Sequence, residues 1–285
     1  MKKSGLFVGL ITLDIIYLAS LLPQTNQKLV ATNYTLAAGG PATNASVTFS
    51  YLDNQASLLG ILGSHPITEL ITVDLLKFGI NIIDLDKSKS ESPPVSSIIV
   101  TESTGERAVI SINAIKTQAE INSIPSYILD SVDIILIDGH QMAISQIIAK
   151  KARAKNIPVV IDGGSWKPGF EEILPFVDYA ICSANFYPPS CENQTDVFNY
   201  LQSLQIPHIA ITNGEQPIEY ISNNDRGAIE IQKIPVVDTL GAGDIFHGAF
   251  CHYILETNFT NALTLASHVA SKACQGFGSR RWMED

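Results

Sequence analysis

The stretch "DTLGAGDIFHGAF" at 238–250 places two glycines and a carboxylate at the start of an apolar helical pattern. Glycine is unfavourable inside a helix, so Gly241 and Gly243 are expected in the preceding loop or in the first turn. There they let unpaired main-chain N–H groups approach an anion closely. Asp244 lies beside them and is placed to take a proton from a hydroxyl that attacks a phosphoryl group. The alternative is a glycine-rich turn whose acidic residue only stabilises the helix dipole.

The rest of the chain alternates short apolar runs with helical patterns, which predicts the scaffold that positions those groups. Strands are predicted at 6–13, 56–63, 133–139, 157–164, 177–183 and 208–214, with a short extended segment at 234–238. Helices are predicted at 67–79, 142–156, 244–256 and 261–275. This alternation predicts an α/β fold with a mostly parallel central sheet and helices on both faces. Ligands of such open sheets bind at the carboxyl ends of the strands.

Two stretches, at about 15–37 and 92–114, break the alternation and predict β-hairpins. The second contains two β-prone runs around "STGE", which favours a turn. An antiparallel excursion from an α/β core is often a lid or an interface. Because the chain has no low-complexity linker and no internal repeat, we expect one domain over 1–285 with a small β lid.

Composition argues against several classes of protein. The 285 residues carry a formal net charge of -10 and no run of lysine or arginine, which argues against nucleic acid and anionic membranes as partners. Apolar residues make up 46% and charged residues 16%, so a large core can be buried. The four cysteines have no CxxC spacing and fit reduced thiols in the cytoplasm better than a zinc or redox site.

The first 22 residues mimic a secretory signal, with two lysines ahead of an apolar stretch. Asp14 interrupts that stretch, and a charge in its middle is unfavourable for a signal. We therefore favour a buried first strand from Leu6 to Leu13 with Asp14 at its end. No other segment is long and apolar enough to span a bilayer.

The stretch at 238–250 resembles, over its whole length, the second signature of the ribokinase–PfkB family of carbohydrate kinases. The first signature of that family has a partial match in "AAGGPATNASVTFSYLDNQASLLGILG" at 37–63. The resemblance covers nearly the entire chain. It implies a ribokinase-like fold, a sugar substrate, ATP with Mg2+ as cofactors and, in some members, K+. Family members also often pair their lids across a homodimer.

The resemblance implies roles for individual residues. Asp244 is the general base, and the amides of Gly241, Ala242 and Gly243 form the anion hole. The positions that hold the sugar are Asp14, Gly39, Gly40 and Asn44. Taken alone, Asp14 also fits a strand-end turn and Asn44 a helix cap.

Further positions are assigned by the same resemblance. Arg107 matches an arginine of the lid strands, and Asp138 lies at a strand end facing the cleft; both are candidate sugar contacts. Asn185, Thr212 and Gly214 correspond to the nucleotide side of the site. Asp238 and the Leu240 carbonyl are in place for a monovalent cation. The competing interpretations are an exposed edge arginine, a loop asparagine and an ordinary strand-to-turn transition.

Two family motifs are incomplete in this sequence. The "NxxE" motif has Pro188 where the family has glutamate, and "TxGxxG" ends in Pro217. Three functions therefore remain in play. The leading hypothesis is an ATP-dependent kinase of a small sugar, of the fructose, other ketohexose or ribose type. The second is a nucleoside kinase, with Tyr17 and Tyr34 able to stack on a base. The third is a non-catalytic sugar- or nucleotide-binding regulator on the same scaffold.

Overall fold

The structure is a computed structural model that describes residues 2–112, 114, 117–223 and 225–284. Its strands are β1 Ser4–Val8, β2 Thr12–Ala19, β3 Asn33–Gly39, β4 Gln55–Gly60, β5 Asn81–Asp84, β6 Val95–Thr101, β7 Arg107–Ser111, β8 Ile134–Ile137, β9 Val159–Gly163, β10 Tyr179–Ser183, β11 His208–Asn213, β12 Gln216–Ser222 and β13 Asp225–Ile229. Its α-helices are α1 Pro41–Tyr51, α2 Ile67–Lys77, α3 Met142–Lys155, α4 Phe170–Ile173, α5 Gln194–Ser203, α6 Ala242–Tyr253 and α7 Phe259–Ala273.

The larger sheet has the strand order β13-β12-β11-β10-β9-β8-β1-β4-β5. Seven neighbouring strands of this sheet are parallel, namely β11, β10, β9, β8, β1, β4 and β5. The two strands at the other edge, β12 and β13, are paired antiparallel. Parallel strands are buried on both faces, which is why their sequences are continuous apolar runs. The predicted mostly parallel central sheet is confirmed.

Helices cover both faces of this sheet. Alternate residues of each strand point to opposite faces, and because both sets are apolar, each face packs against helices. Leu6 and Val8 pack into a core with α3, α4 and α5. Phe7, between them, packs into a second core with α1, α2, α6 and α7. Gly248 of α6 lies against the main chain of α1, so the two helices that carry the predicted site are in close contact.

The smaller sheet has the order β3-β2-β6-β7 and is mainly antiparallel. It is formed by the two stretches that were predicted as hairpins; residue 113 of the second stretch lies outside the described residues. Ile16, Ile98 and Val100 form an apolar cluster on its inner face together with Leu240 and Phe277. This cluster attaches the sheet to the loop that precedes α6.

Several predicted boundaries were wrong. The chain leaves the larger sheet after Val8, and Asp14 is the third residue of β2 rather than the end of β1. The reason is a tertiary contact, since the Asp138 carboxylate accepts a hydrogen bond from the Leu10 amide and turns the chain there. The strand predicted to reach 63 ends at Gly60, and 234–238 joins neither sheet.

None of the helices in the described part of the chain combines the length and apolarity that a membrane crossing requires.

Candidate active site

The loop at 238–243, which we call the anion loop, is held from within by Asp238. One carboxylate oxygen of this residue accepts the amide of Leu240 at 2.8 Å, and the other accepts the amide of Gly278 at 2.9 Å. Gly241 adopts the left-handed conformation, with φ of 73°, immediately before α6. A Cβ built at Gly243 would meet no atom within 4 Å, so open space lies in front of the first turn of α6.

Asp244 lies in that first turn and meets Asn44 of α1. The Asn44 side-chain NH2 donates a hydrogen bond of 2.7 Å to Oδ2 of Asp244. A Cβ at Gly241 would also lie 3.6 Å from the same NH2 group. The structure therefore brings together the predicted base, the predicted anion loop and one predicted sugar-binding residue, although 200 positions separate Asn44 from Asp244.

The glycines at the start of α1 are required by close contacts. A Cβ at Gly39 would lie 2.0 Å from Oδ2 of Asp14, so the bare backbone makes room for that carboxylate. Gly40 has φ of 103°, and a Cβ there would lie 2.4 Å from the carbonyl oxygen of Leu10. Residues 38–44, which we call the glycine shelf, thus present main chain and the Asp14 carboxylate side by side.

Burial raises the pKa of the Asp14 and Asp244 carboxyl groups. It raises the pKa of Asp14 to about 6, against the lowering effects of a hydrogen bond from Ser96 and the charge of Arg280. Burial, followed by the charge of Asp162, raises the pKa of Asp244 to about 7, while the Asn44 hydrogen bond and the charge of His247 lower it. A carboxylate with a pKa near the working pH is suited to accept and return a proton.

Asp138 occupies a different environment from the other predicted sugar contacts. It is 1% exposed, and its oxygens accept the amides of Leu10, Ala42 and His140 at 2.9, 3.1 and 2.9 Å. Burial raises its pKa, but the His140 ring, the Leu10 amide and the Lys167 charge outweigh burial and bring it to about 2. The carboxylate is thus engaged in holding the glycine shelf against β1, and its predicted contact with sugar stays a prediction.

Comparison with known proteins extends over the same residues. The family model of the pfkB family carbohydrate kinases matches residues 2–285. The chain belongs to this family. It is therefore a carbohydrate kinase, a phosphotransferase with an alcohol group as acceptor.

Individual relatives are similar over their whole length at low identity. A ribokinase of Bacillus subtilis (strain 168) is 21% identical over 285 residues, which cover 97% of this chain and 94% of that protein. A ketohexokinase of Mus musculus is 21% identical over 295 residues, which cover 97% of this chain and 98% of that protein. The structure of Arabidopsis thaliana ribokinase complexed with ribose and ATP is 20% identical, covers 100% of both chains and has a TM-score of 0.79. The predicted ribokinase-like fold is confirmed.

In this carbohydrate kinase the predicted lid arginine reaches the anion loop. Nη1 of Arg107 donates to Oγ1 of Thr239 at 2.9 Å. The carbonyl of Gly105, in the turn between β6 and β7, accepts the amide and the hydroxyl of the same threonine at 3.3 and 3.2 Å. The smaller sheet and the anion loop are therefore joined by direct hydrogen bonds.

The predicted nucleotide residues lie at the carboxyl ends of β10 and β11. Ser183 and Thr212 are register partners on these adjacent parallel strands. Asn185 is exposed in the turn after β10, with its amide donating to Oγ of Ser183 at 3.1 Å. Gly214 has φ of 57° and open space around its Cα. The three predicted positions thus lie together at the carboxyl ends of adjacent strands, and their contact with a nucleotide stays a prediction.

The predicted monovalent-cation site can be tested on the donor set of Asp238, which is 3% exposed. Each of its oxygens accepts one amide and keeps a second lone pair, so the residue fits a cation beside the anion loop. Burial raises the pKa of Asp238, which its amide bonds and Arg107 oppose. The assignment of Asp238 and the Leu240 carbonyl to a cation stays a prediction.

Two groups near Asp244 were not predicted from the sequence as parts of the site. Arg280 contacts Asn44, and the buried His247 lies between Asp162 and the main chain, with Nδ1 2.7 Å from the Gly243 carbonyl and 3.5 Å from Oδ2 of Asp162. His247 was detectable, because it follows Asp244 by three positions on the same helix. Arg280 gave no signal, since nothing in "SRRW" distinguishes an arginine of the site from an exposed one.

Proposed function

We propose that this chain transfers the γ-phosphoryl group of ATP to a hydroxyl of a small sugar of the ribose or ketohexose type, with Asp244 as general base. The observation that carries the proposal is the bond from Asn44 to Asp244 at the junction of the glycine shelf and the anion loop. It supports the proposal, because a carboxylate of raised pKa lies beside Asn44, one of the two residues that we propose to hold the hydroxyl.

The sugar binds on the glycine shelf, oriented by the carboxylate of Asp14 and by the polar group of Asn44. Asp244 accepts the proton of the attacking hydroxyl as its oxygen forms a bond to phosphorus. The bond between that phosphorus and the bridging oxygen breaks, and ADP leaves with the electron pair. The amides of Gly241, Ala242 and Gly243 donate to the developing negative charge.

ATP is proposed to lie along the carboxyl ends of β10 and β11, where Asn185, Thr212 and Gly214 are exposed or half-buried. Mg2+, when bound, would neutralise charge on the phosphates of ATP. Sites of this kind usually bind Mg2+ through the substrate phosphates, with water supplying the remaining ligands. Closure of the smaller sheet over the sugar would exclude water and limit hydrolysis of ATP.

Of the two alternatives, the nucleoside kinase loses its main support. Tyr17 and Tyr34 are register partners with ring centroids 6.5 Å apart, and they are 39% and 65% exposed. They lie on the face of the smaller sheet opposite to Ile16, which packs towards the anion loop. The regulator is kept as an outcome of the test, because of the incomplete "NxxE" motif.

The outer face of the smaller sheet is also apolar and exposed. Besides the two tyrosines, Leu36 is 44% exposed and Ile110 is 76% exposed. We propose that this face pairs with the same face of a second copy in a homodimer. Sedimentation velocity should then find a dimer for the wild type and a monomer for Ile110→Asp.

The four free thiols support a reducing, cytoplasmic setting for the proposed enzyme.

The decisive experiment measures ADP release over a panel of pentoses, ketohexoses and nucleosides with ATP and Mg2+, with K+ present or absent. Asp244→Asn should keep the fold, because the new side chain can still accept from Asn44. It should lower kcat on the preferred sugar by about 100- to 10,000-fold, the usual contribution of a general base. Asp225→Asn, which removes an exposed carboxylate of β13, is the matched control.

Two results would count against the proposal. A turnover of Asp244→Asn close to that of the wild type would remove Asp244 from the chemistry. Calorimetric binding of a sugar with no ADP release from the wild type would instead favour the regulator.

A further inference from the structure

Arg280 brings a mostly buried cation to the glycine shelf. Its side chain is 13% exposed. Nη1 donates to Oδ1 of Asn44 at 2.9 Å, and Nη2 donates to the carbonyl of Ala38 at 2.7 Å. Nη2 also lies 3.8 Å from Oδ2 of Asp74, which in turn accepts the amide of Ala38. The C-terminal segment is therefore bound to both ends of the glycine shelf.

The side chain of Asn44 bridges this cation and the candidate base. A guanidinium has only donors, so the atom of Asn44 that faces it must be the oxygen. The NH2 group is then left to face Asp244, which as a carboxylate can only accept. The assignment of oxygen and nitrogen in Asn44 thus follows from its two partners.

We propose that Arg280 is a positioning residue for the base: by holding the oxygen of Asn44, it keeps the Asn44 amide a donor to Asp244 throughout the proton transfer. The role matters once Asp244 has taken the sugar proton. Without Arg280, the amide would be free to turn over and accept that proton through its oxygen, which would stabilise the protonated base. With Arg280, that rotation breaks a charge-assisted hydrogen bond. This inference rests on the proposed function of Asp244.

The charged groups around Asp244 come from several elements. Asp14 on β2 and Asp162 on β9 favour its protonated form, while His247 on α6 favours the ionised form. Asp74 on α2 lies on the far side of Arg280. Burial lowers the pKa of Arg280, and the charges of Asp74, Asp14 and Asp244 oppose this effect. Arg280 thus lies near three carboxylates, and Asn44 links it to Asp244 by two hydrogen bonds.

The test is a double-mutant cycle between Arg280→Met and Asn44→Ala, read as the acid limb of the kcat–pH profile. Arg280→Met should move this limb to higher pH by about 0.5–1 unit, because the protonated base gains an acceptor. In the Asn44→Ala background the same change should move the limb by less than half as much. Arg280→Lys keeps a cation and one donor, and should recover most of the wild-type profile.

A second readout needs no turnover. The carboxyl 13C signal of Asp244, assigned by its loss in Asp244→Asn, is titrated in the ligand-free wild type and in Arg280→Met. The pKa read from this titration should be higher in Arg280→Met than in the wild type by the same 0.5–1 unit, roughly. The inference is therefore tested even if no sugar is phosphorylated and the proposed function fails. A urea midpoint for each variant shows that it is folded. Arg281→Met, at the exposed neighbour that pairs with Glu284, is the control and should keep the wild-type profile.

Two outcomes would overturn the inference. Equal shifts in the Asn44 and Asn44→Ala backgrounds would mean that Arg280 acts by charge alone. A loss of activity that is uniform over pH, with an unshifted carboxyl titration, would mean that Arg280 only fastens the C-terminal segment.

Discussion

At the scale of the residue, the contact between Gly39 and Asp14 decides whether a sugar can be oriented on the glycine shelf. A Cβ at Gly39 would lie 2.0 Å from Oδ2 and 2.2 Å from Cγ of Asp14, a distance that no packing tolerates. Gly39→Ala should therefore displace the Asp14 carboxylate. We expect KM for the sugar to rise by about 10-fold or more, the loss of one hydrogen bond to a charged group, while KM for ATP stays within about twofold. Steady-state kinetics with each substrate varied in turn measures both.

The control for this substitution is Gly79→Ala, in the turn that follows α2. Unlike Gly39, Gly79 has a positive φ, of 67°, and a Cβ there would meet nothing within 4 Å. It should cost about 1 kcal/mol of stability through backbone strain and leave both KM values unchanged. A Gly39→Ala enzyme with wild-type KM for the sugar would show that Asp14 does not hold the substrate.

At the scale of the element, the distance between α1 and α6 controls whether Asn44 reaches Asp244. Gly248 allows that approach, since a Cβ there would lie 2.3 Å from the Ala45 carbonyl oxygen and 2.7 Å from Cβ of Thr48. Gly248→Ala should push the helices apart and lower the free energy of unfolding by about 1–3 kcal/mol, as overpacking usually does. It should also lower kcat, because the bond to the base is stretched. Urea unfolding and kcat are the two measurements, and a variant that is destabilised but fully active would refute the link between helix spacing and the base.

At the scale of the whole molecule, folding opposes the ionisation of Asp244 that its role as a general base requires. Because folding raises the pKa of Asp244 from 3.8 to about 7, its contribution to stability is fully present below the unfolded value and is lost as pH rises through about 7. Asp244→Asn should thus be more stable than the wild type at pH 8, by about 1–2 kcal/mol, and the difference should shrink towards pH 4. The kcat of the wild type should rise with pH as Asp244 ionises, over the same range in which Asp244 costs stability. Urea unfolding from pH 4 to 8 measures this, with Asp225→Asn as the control.

A stability difference between Asp244→Asn and the wild type that stayed constant over this pH range would contradict the raised pKa. A difference that reversed sign at pH 8 would show that the ionised carboxylate stabilises the fold, contrary to its burial beside Asp162.

Local features of this protein could be predicted from its amino-acid sequence. The glycines around Asp244 predicted a helix that begins at a bare loop, and the continuous apolar runs predicted a parallel sheet covered on both faces. These predictions hold because glycine conformation, helix starts and strand burial depend on residues that are close in the chain. The family resemblance added the pairing of Asp244 with the glycine shelf.

Contacts between groups that are far apart in the sequence could not be predicted, because they depend on the completed fold. Asp138 turns the chain at Leu10 and so moves Asp14 into β2, a contact between positions 128 apart. Arg280 reaches Asn44 across 236 positions, and nothing in "SRRW" distinguishes it from an exposed arginine. The physical reason is that a long charged side chain has no local preference for a buried partner; its place is set by the carboxylates and carbonyls that the completed fold gathers around it.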